Sequence, residues 1–304
     1  MNKLLLIDTF NFLHRAFHAL PKTLTSKDGK PSNAVYGVAS MVISILDLLK
    51  PTHVLAALDG KKPTFRVEEF TQYKAHRAEM DPDLVPQIDK VFSLLDAFGI
   101  KKIVQEGYEA DDIIATYADH FKNSSQVVIA SNDRDMWQLI DENVLIMSPT
   151  TKGTADWVGL KEAKAKMGFD PILIPDYKGL RGDLSDNIPG VHGIGEKTAM
   201  RLISEFGDLD SVYKNIDKVT PDSLRKKLLE SYEIAMQSKK LATVIRDAPI
   251  ETDLSACLYK GFDKDVLREF FVEMRFKSLL RRLGLEDEVK LSPSNSSDSQ
   301  LGLF

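Results

Sequence analysis

Three short apolar runs, Lys3 to Ile7, Thr52 to Leu58 and Gln126 to Ala130, alternate with stretches of helical periodicity at Asn33 to Leu49, Val85 to Phe98 and Asp111 to Phe121. Strand-length runs separated by helices need crossover connections, which predicts an α/β protein with a mainly parallel central sheet flanked by helices. Right-handed crossovers bring the carboxyl ends of such strands to one edge, where open α/β folds place their sites. Acids stand at those ends here: Asp8 follows the first run, Asp59 the second, and Asp133 and Asp135 the third.

Beyond about residue 155 the texture is mostly helical. Leu160 to Met167, Gly195 to Glu205, Ser223 to Thr243 and Lys264 to Leu283 read as helices joined by glycine- and proline-bearing turns. Leu291 to Gln300 is polar and Ser-rich, a solvated tail, and it ends in the apolar tip Leu301-Gly302-Leu303-Phe304. The longest nearly apolar run, Val38 to Leu46, falls short of the roughly 18 residues that span a bilayer, and Asp8 interrupts Leu4 to Ile7 too early for a signal peptide. Cys257 is the single cysteine and can form no internal disulfide, so a cytoplasmic location is expected, without a membrane partner.

The acids recur beyond the strand ends. Glu109, Asp111 and Asp112 open a helix, where capping accounts for only one of them. Asp133 and Asp135 have the spacing that points two side chains the same way from an extended segment, and Asp183 and Asp186 the spacing of neighbours on one helical turn. A single strand-end Asp is commonly a cap or turn residue. Nine carboxylates in one cleft would instead repel strongly unless cations sat among them. Oxygen ligands without Cys or His suit Mg²⁺ or Mn²⁺ and argue against zinc. Two such ions about 4 Å apart can activate a water and stabilise a leaving oxygen in phosphoryl displacement. Setting the nine aside turns the formal net charge of −5 into +4, so the acidic total is compatible with a nucleic-acid partner. The densest basic stretch is Lys61 to Arg77, with Lys61, Lys62, Arg66, Lys74, Arg77 and His76 against Glu68 and Glu69.

Asp8, Asp59, Tyr108-Glu109-Ala110-Asp111-Asp112, Asp133-Arg134-Asp135, the block Gly182 to Gly190 and Gly193-Ile194-Gly195-Glu196-Lys197-Thr198-Ala199 occur in the order found in the 5′-nuclease family. From Met1 to about Leu285 the chain closely resembles the 5′-nuclease domain of bacterial DNA polymerase I and its stand-alone relatives. The resemblance implies a PIN-like 5′-nuclease fold: an α/β nuclease domain over residues 1–175 with a helical arch at about 61–85, a helical DNA-binding domain over 176–288 with a helix-hairpin-helix at about 180–206, and a tail from 289. It implies metal-dependent hydrolysis of DNA at 5′ flaps, nicks and 5′ ends, with RNA primer removal as the physiological task in a bacterial, nucleoid-associated setting. Asp8, Asp59, Glu109, Asp111 and Asp112 are assigned to a tighter metal cluster, and Asp133, Asp135, Asp183 and Asp186 to a second.

In the arch, Lys74 and Arg77 take the phosphate-facing positions, with Arg66 beside them and Tyr73 placed to stack on a base. A solvated basic helix face is the plainer reading of that segment. The turn from Gly190 through Gly193 to Gly195 resembles the hairpin that offers backbone N–H groups to duplex phosphates and often holds K⁺, with Lys197 and Thr198 in support. Glu196 before the lysine, and the lack of a strand before the first glycine, separate this turn from a nucleotide P-loop. The chain departs from the family at Asn132, commonly glycine, and at His192, commonly proline; neither change removes a carboxylate. A junction-binding module and a metal-dependent ribonuclease are the competing functions.

The terminal Gln300, Leu301, Leu303 and Phe304 look like the short peptide by which bacterial replication proteins dock on the sliding clamp. The chain is therefore expected to be a complete, clamp-tethered nuclease, the tether raising its effective concentration on DNA. Deleting residues 300–304 is expected to abolish clamp binding in a pull-down while leaving flap cleavage without the clamp unchanged. Clamp binding that survives the deletion would rule the tail out.

Overall fold

The computed structural model describes residues 2–150 and 154–286. Its strands are β1 (Asn2–Asp8), β2 (His53–Leu58), β3 (Lys101–Val104), β4 (Ser125–Ala130), β5 (Val144–Pro149) and β6 (Ala155–Val158). The helices in the first half are α1 (Thr9–Ala19), α2 (Asn33–Leu49), α3 (Phe65–Glu69), α4 (Val85–Ala97) and α5 (Ala110–Phe121). The second half adds α6 (Leu160–Met167), α7 (Ile174–Arg181), α8 (Glu196–Phe206), α9 (Leu209–Lys214), α10 (Asp222–Glu230), α11 (Tyr232–Ala242), α12 (Lys264–Glu273) and α13 (Lys277–Arg282).

The sheet runs β3-β2-β1-β4-β5-β6, parallel throughout except for β6, which bears out the mainly parallel α/β reading. Register sets Asp8 beside Ala57 of β2 and Ile7 beside Ala130 of β4, so the three acid-bearing ends finish level. β1 is apolar on both faces because both are covered. Alternation sends Leu4 and Leu6 to the core shared with Ile113, Ile114 and Tyr117 of α5, and Leu5 and Ile7 to the core built with α1, α2 and α4. α1 and α2 approach so closely that a Cβ at Gly37 would lie 2.5 Å from that of Ala16, which is why this helix position carries glycine.

Three sequence-based expectations change. Asp8 does not only end β1; it caps α1, which the apolar patterning left unread. The single helix predicted from Ser223 to Thr243 is two, α10 and α11, divided at Ser231, and that from Lys264 to Leu283 breaks where Arg275 takes φ 58°. Apolar periodicity runs across both breaks, so no Gly or Pro marked them. The second of these pairs also leaves the helical half: Leu267, Phe271, Phe276 and Leu279 pack into the core under α2 and α4.

Phe271 anchors that return, fully buried with its ring 6.2 Å from Phe98 and 5.9 Å from Phe276. Phe271→Ala is expected to lower stability by about 3–5 kcal/mol in equilibrium denaturation. An unchanged midpoint would show that α12 contributes nothing to the sheet body's stability.

Candidate active site

Asp8 is buried at the end of β1, where one carboxylate oxygen accepts the Asn11 N–H at 3.1 Å and the other the Ser131 hydroxyl at 2.8 Å. Ser131 in turn accepts the Asp133 N–H at 3.1 Å, tying the ends of β1 and β4 together. Asp59, just past β2, accepts the Ala110 N–H at 2.7 Å and so holds the start of α5, whose first turn carries Asp111. Burial pushes Asp8 up to about 7 against its two hydrogen bonds, with Asp59 and Asp133 adding to the shift. Desolvation, then Asp8 and Asp133, also holds Asp111 well above the usual carboxylate range, and Asp59 is raised by desolvation and Glu109. Among the described residues no Lys or Arg lies within ion-pair distance of Asp8, Asp59, Asp111 or Asp133. Hard oxygen donors that disfavour their own charge, with no protein cation among them, fit a divalent ion such as Mg²⁺ or Mn²⁺.

The second group comes from different elements. Asp135, Asp183 and Asp186 bring carboxylate oxygens within 4.8 Å of one another. Asp133 does not share an extended segment with Asp135; it caps a 3₁₀ turn, Arg134–Leu139, by accepting the Asp135 N–H at 2.8 Å. Nor do Asp183 and Asp186 lie on a helical turn. They sit in a tight loop closed by reciprocal 2.8 Å bonds between the backbones of Asp183 and Ile188. Sequence reasoning missed Lys178, whose ammonium contacts both Asp135 and Asp183 from α7. Burial opposes the charge on Asp183, but Lys178 and Ser185 outweigh it and hold the carboxyl down to about 2. Since α7 itself was not read as a helix, nothing marked its inward face.

The basic stretch expected to form a helical arch meets these acids from the side, and before α4 only Phe65–Glu69 of it is helical. Arg66, expected at the DNA surface, is buried instead: its guanidinium forks onto Asp112 at 2.9 and 2.8 Å and donates to the carbonyls of Leu241 and Thr243. Asp112, wholly buried, also accepts the N–H groups of Glu109 and Ile245. Its oxygens are committed to protein donors, so Asp112 leaves the expected ligand set and is a structural anchor for Arg66. Tyr73, expected to stack on a base, is 4% exposed and packed with Ile188, Leu241 and Ala242, its hydroxyl 3.2 Å from Glu109. Lys74, in a left-handed conformation at φ 54°, reaches Glu109 at 2.9 Å, and Arg77 reaches Asp186 at 2.6 Å. Burial opposes the charge on Lys74, but Glu109 and Asp186 outweigh it and raise its pKa.

α7, the acidic loop, the glycine turn and α8 occupy the stretch expected to form a helix-hairpin-helix, with the first of these helices starting at Ile174. Gly193, Gly195, Lys197 and His192 are exposed, and Thr198 is half-buried at the start of α8. Gly190 is not presented to a ligand: it is buried, its N–H donates to Ser238 at 3.0 Å, and an added Cβ would lie 2.1 Å from the Gly182 nitrogen. A cleft of about 660 Å³ separates the second acidic group from α8, floored by Phe169, Ile174 and Tyr177. Gln300, Leu301, Leu303 and Phe304 lie outside the described residues.

The model of the 5′-3′ exonuclease N-terminal, resolvase-like domain matches residues 3–168, and that of the 5′-3′ exonuclease C-terminal SAM fold matches 169–265. The chain belongs to the 5′-3′ exonuclease family. It is 41% identical over 292 residues to DNA polymerase I of Caldicellulosiruptor bescii, covering 95% of this chain and 34% of that one. Against DNA polymerase I of Bacillus subtilis the identity is 41% over 297 residues, 97% of this chain and 33% of that one. The chain thus spans about a third of the length of these relatives. Among solved structures it is similar to T5 5′-exonuclease with bound zinc, with TM-score 0.64 and 24% identity over 90% of this chain and 99% of that one. The catalytic core of Rad2 in complex with DNA substrate gives TM-score 0.62 and 18% identity over 94% and 92%. No helix of the described residues is long and apolar enough to cross a membrane.

Asp111 and Asp112 are adjacent but differ in role, and stability separates them. Asp112→Ala strands the buried Arg66 charge and is expected to cost about 3–5 kcal/mol. Asp111→Asn removes a carboxylate that its neighbours repel and is expected to raise the melting temperature in EDTA. Equal effects of the two changes would contradict these assignments.

Proposed function

We propose that this chain is a structure-specific 5′-nuclease that hydrolyses DNA phosphodiester bonds at 5′ flaps, nicks and 5′ ends, using two divalent ions, Mg²⁺ in the first instance with Mn²⁺ able to substitute. The observation that carries this reading is the meeting of Asp8, Asp59 and Asp111 at one sheet edge without a protein cation, beside a second acidic trio from another part of the chain. Asp8, Asp59, Glu109 and Asp111 would hold one ion, and Asp133, Asp135, Asp183 and Asp186 the other. Bound there, such ions supply an activated water and stabilise the leaving oxygen.

The chain's own residues supply the rest. Lys74 and Arg77 contact the acids from the arch, so a phosphodiester laid over the acids lies within their reach, and Arg77 can hold two of its oxygens at once. Both cations exchange carboxylate partners for phosphate oxygens when substrate enters, leaving Glu109 and Asp186 available as ligands. Gly193, Gly195, Lys197 and Thr198, at the start of α8, would grip duplex backbone without reading sequence, with K⁺ at the turn as a further ligand. A division near residue 175 would set the sheet apart from this gripping half, with Asp183 and Asp186 reaching back across it to Asp135. RNA primer removal in replication and repair and a cytoplasmic site of action near the nucleoid belong to the same reading, supported by kinship with bacterial DNA polymerase I, while clamp docking through residues 300–304 rests on the resemblance of that peptide alone.

A 3′-labelled double-flap DNA and a matched single strand, each with Mg²⁺ or EDTA, test it directly. Metal-dependent cutting at the flap base, well above single-strand cutting, is expected. Asp111→Asn and Asp133→Asn should retain DNA binding while cleavage falls by orders of magnitude. Binding without cutting in either Mg²⁺ or Mn²⁺ would make the chain a junction-binding module instead.

A further inference from the structure

The two acidic groups are balanced differently. Asp8, Asp59 and Asp111 have no basic side chain within ion-pair distance among the described residues, whereas Asp135, Asp183 and Asp186 are met by Lys178 and Arg77. Arg77 belongs to the basic stretch after α3, and its side chain is 56% exposed. Lys178 is different: its side chain is 9% exposed, and it projects from α7, a helix packed against α11 and the 3₁₀ turn that carries Asp135. Its backbone stays with the site, and only its four-carbon stem can turn aside.

An ammonium in contact with both Asp135 and Asp183 stands where an ion bridging those two carboxylates must stand. The two cations cannot share the position. A divalent ion entering this group therefore displaces a monovalent cation from between two of its ligands, while in the Asp8 group basic side chains meet only Glu109, and an ion held by Asp8, Asp59 and Asp111 displaces none from them. The exchange subtracts from the affinity of the second ion an attraction that the first ion receives undiminished from Asp8, Asp59 and Asp111.

We propose that Lys178 is the resident cation of the second acidic group, a positioning residue that holds Asp135 and Asp183 together without metal and makes the second divalent ion the weakly held one. This rests on the two-ion reading above. In consequence the group stays assembled in the metal-free protein, and its ion is held only when the ammonium has turned away.

The test uses the full chain and Mn²⁺ alone, with bound and free ion counted by electron paramagnetic resonance and calorimetry. The unsubstituted protein is expected to bind one ion tightly and one weakly. In Lys178→Met the weak ion should bind about tenfold or more tightly, the size expected when a charge of this kind leaves a partly buried site. The melting temperature of that variant in EDTA should fall and be restored by Mn²⁺. Lys178→Arg, which keeps the charge, should leave the second ion weak. Should Lys178→Met fail to fold without metal, Lys178→Gln can still donate to a carboxylate without charge and should show the same tightening. A second ion bound with unchanged or lower affinity in both neutral variants overturns the role of Lys178 alone. Binding of a single ion by every protein, unsubstituted and variant, overturns the proposal together with the two-ion reading on which it stands.

Discussion

Mutual repulsion among carboxylates at one sheet edge is the constraint that the surrounding structure answers. The strands place Asp8, Asp59 and Asp133 there because parallel connections bring their ends level, and α5 adds Glu109, Asp111 and Asp112. Four basic side chains from three segments take up part of the charge: Arg66 on Asp112, Lys74 on Glu109, Arg77 on Asp186 and Lys178 on Asp135 and Asp183. What they leave without a cation is the group Asp8, Asp59 and Asp111, pushed upward by burial and mutual repulsion, while burial raises Asp135 to about 6 even beside Lys178. The unevenness of that neutralisation distinguishes a site that demands an external cation from one that already holds an internal one.

The Arg66 fork extends the consequences of that edge across the molecule. One guanidinium joins the root of the arch, the first turn of α5 and the last carbonyls of α11. Segments more than a hundred residues apart are thereby brought together at the acids. Tyr73 and the loop holding Asp186 close the same junction, Lys74 donating its N–H to the Asp186 carbonyl at 2.9 Å. The basic stretch after α3, the start of α5 and the loop holding Asp186 therefore meet at one buried junction.

Much of this was legible residue by residue. Asp8 and Asp59 were readable because a strand that ends in an acid announces which edge it serves, and the ordered motifs named the family. The role of Asp112 was not readable: it neighbours Asp111, and about 100° of helix rotation turns one to the acids and the other to Arg66. Arg66 and Tyr73 lay within a basic, solvent-like stretch, and burial of an arginine needs a partner that sequence order does not reveal. Gly190 looked like its neighbours Gly193 and Gly195, yet its job is to let the chain pass Gly182.

By itself the sequence determined the parallel sheet, the edge at which its acids collect and the class of ion that could balance them, because strand periodicity and acid placement are local properties of the chain. Tertiary structure alone decided which acids are neutralised and by which cation, since Arg66 meets Asp112, and Lys178 meets Asp135, only after segments distant in the chain have packed. Charge balance is set by distances of a few ångströms, and those distances exist only in the folded molecule.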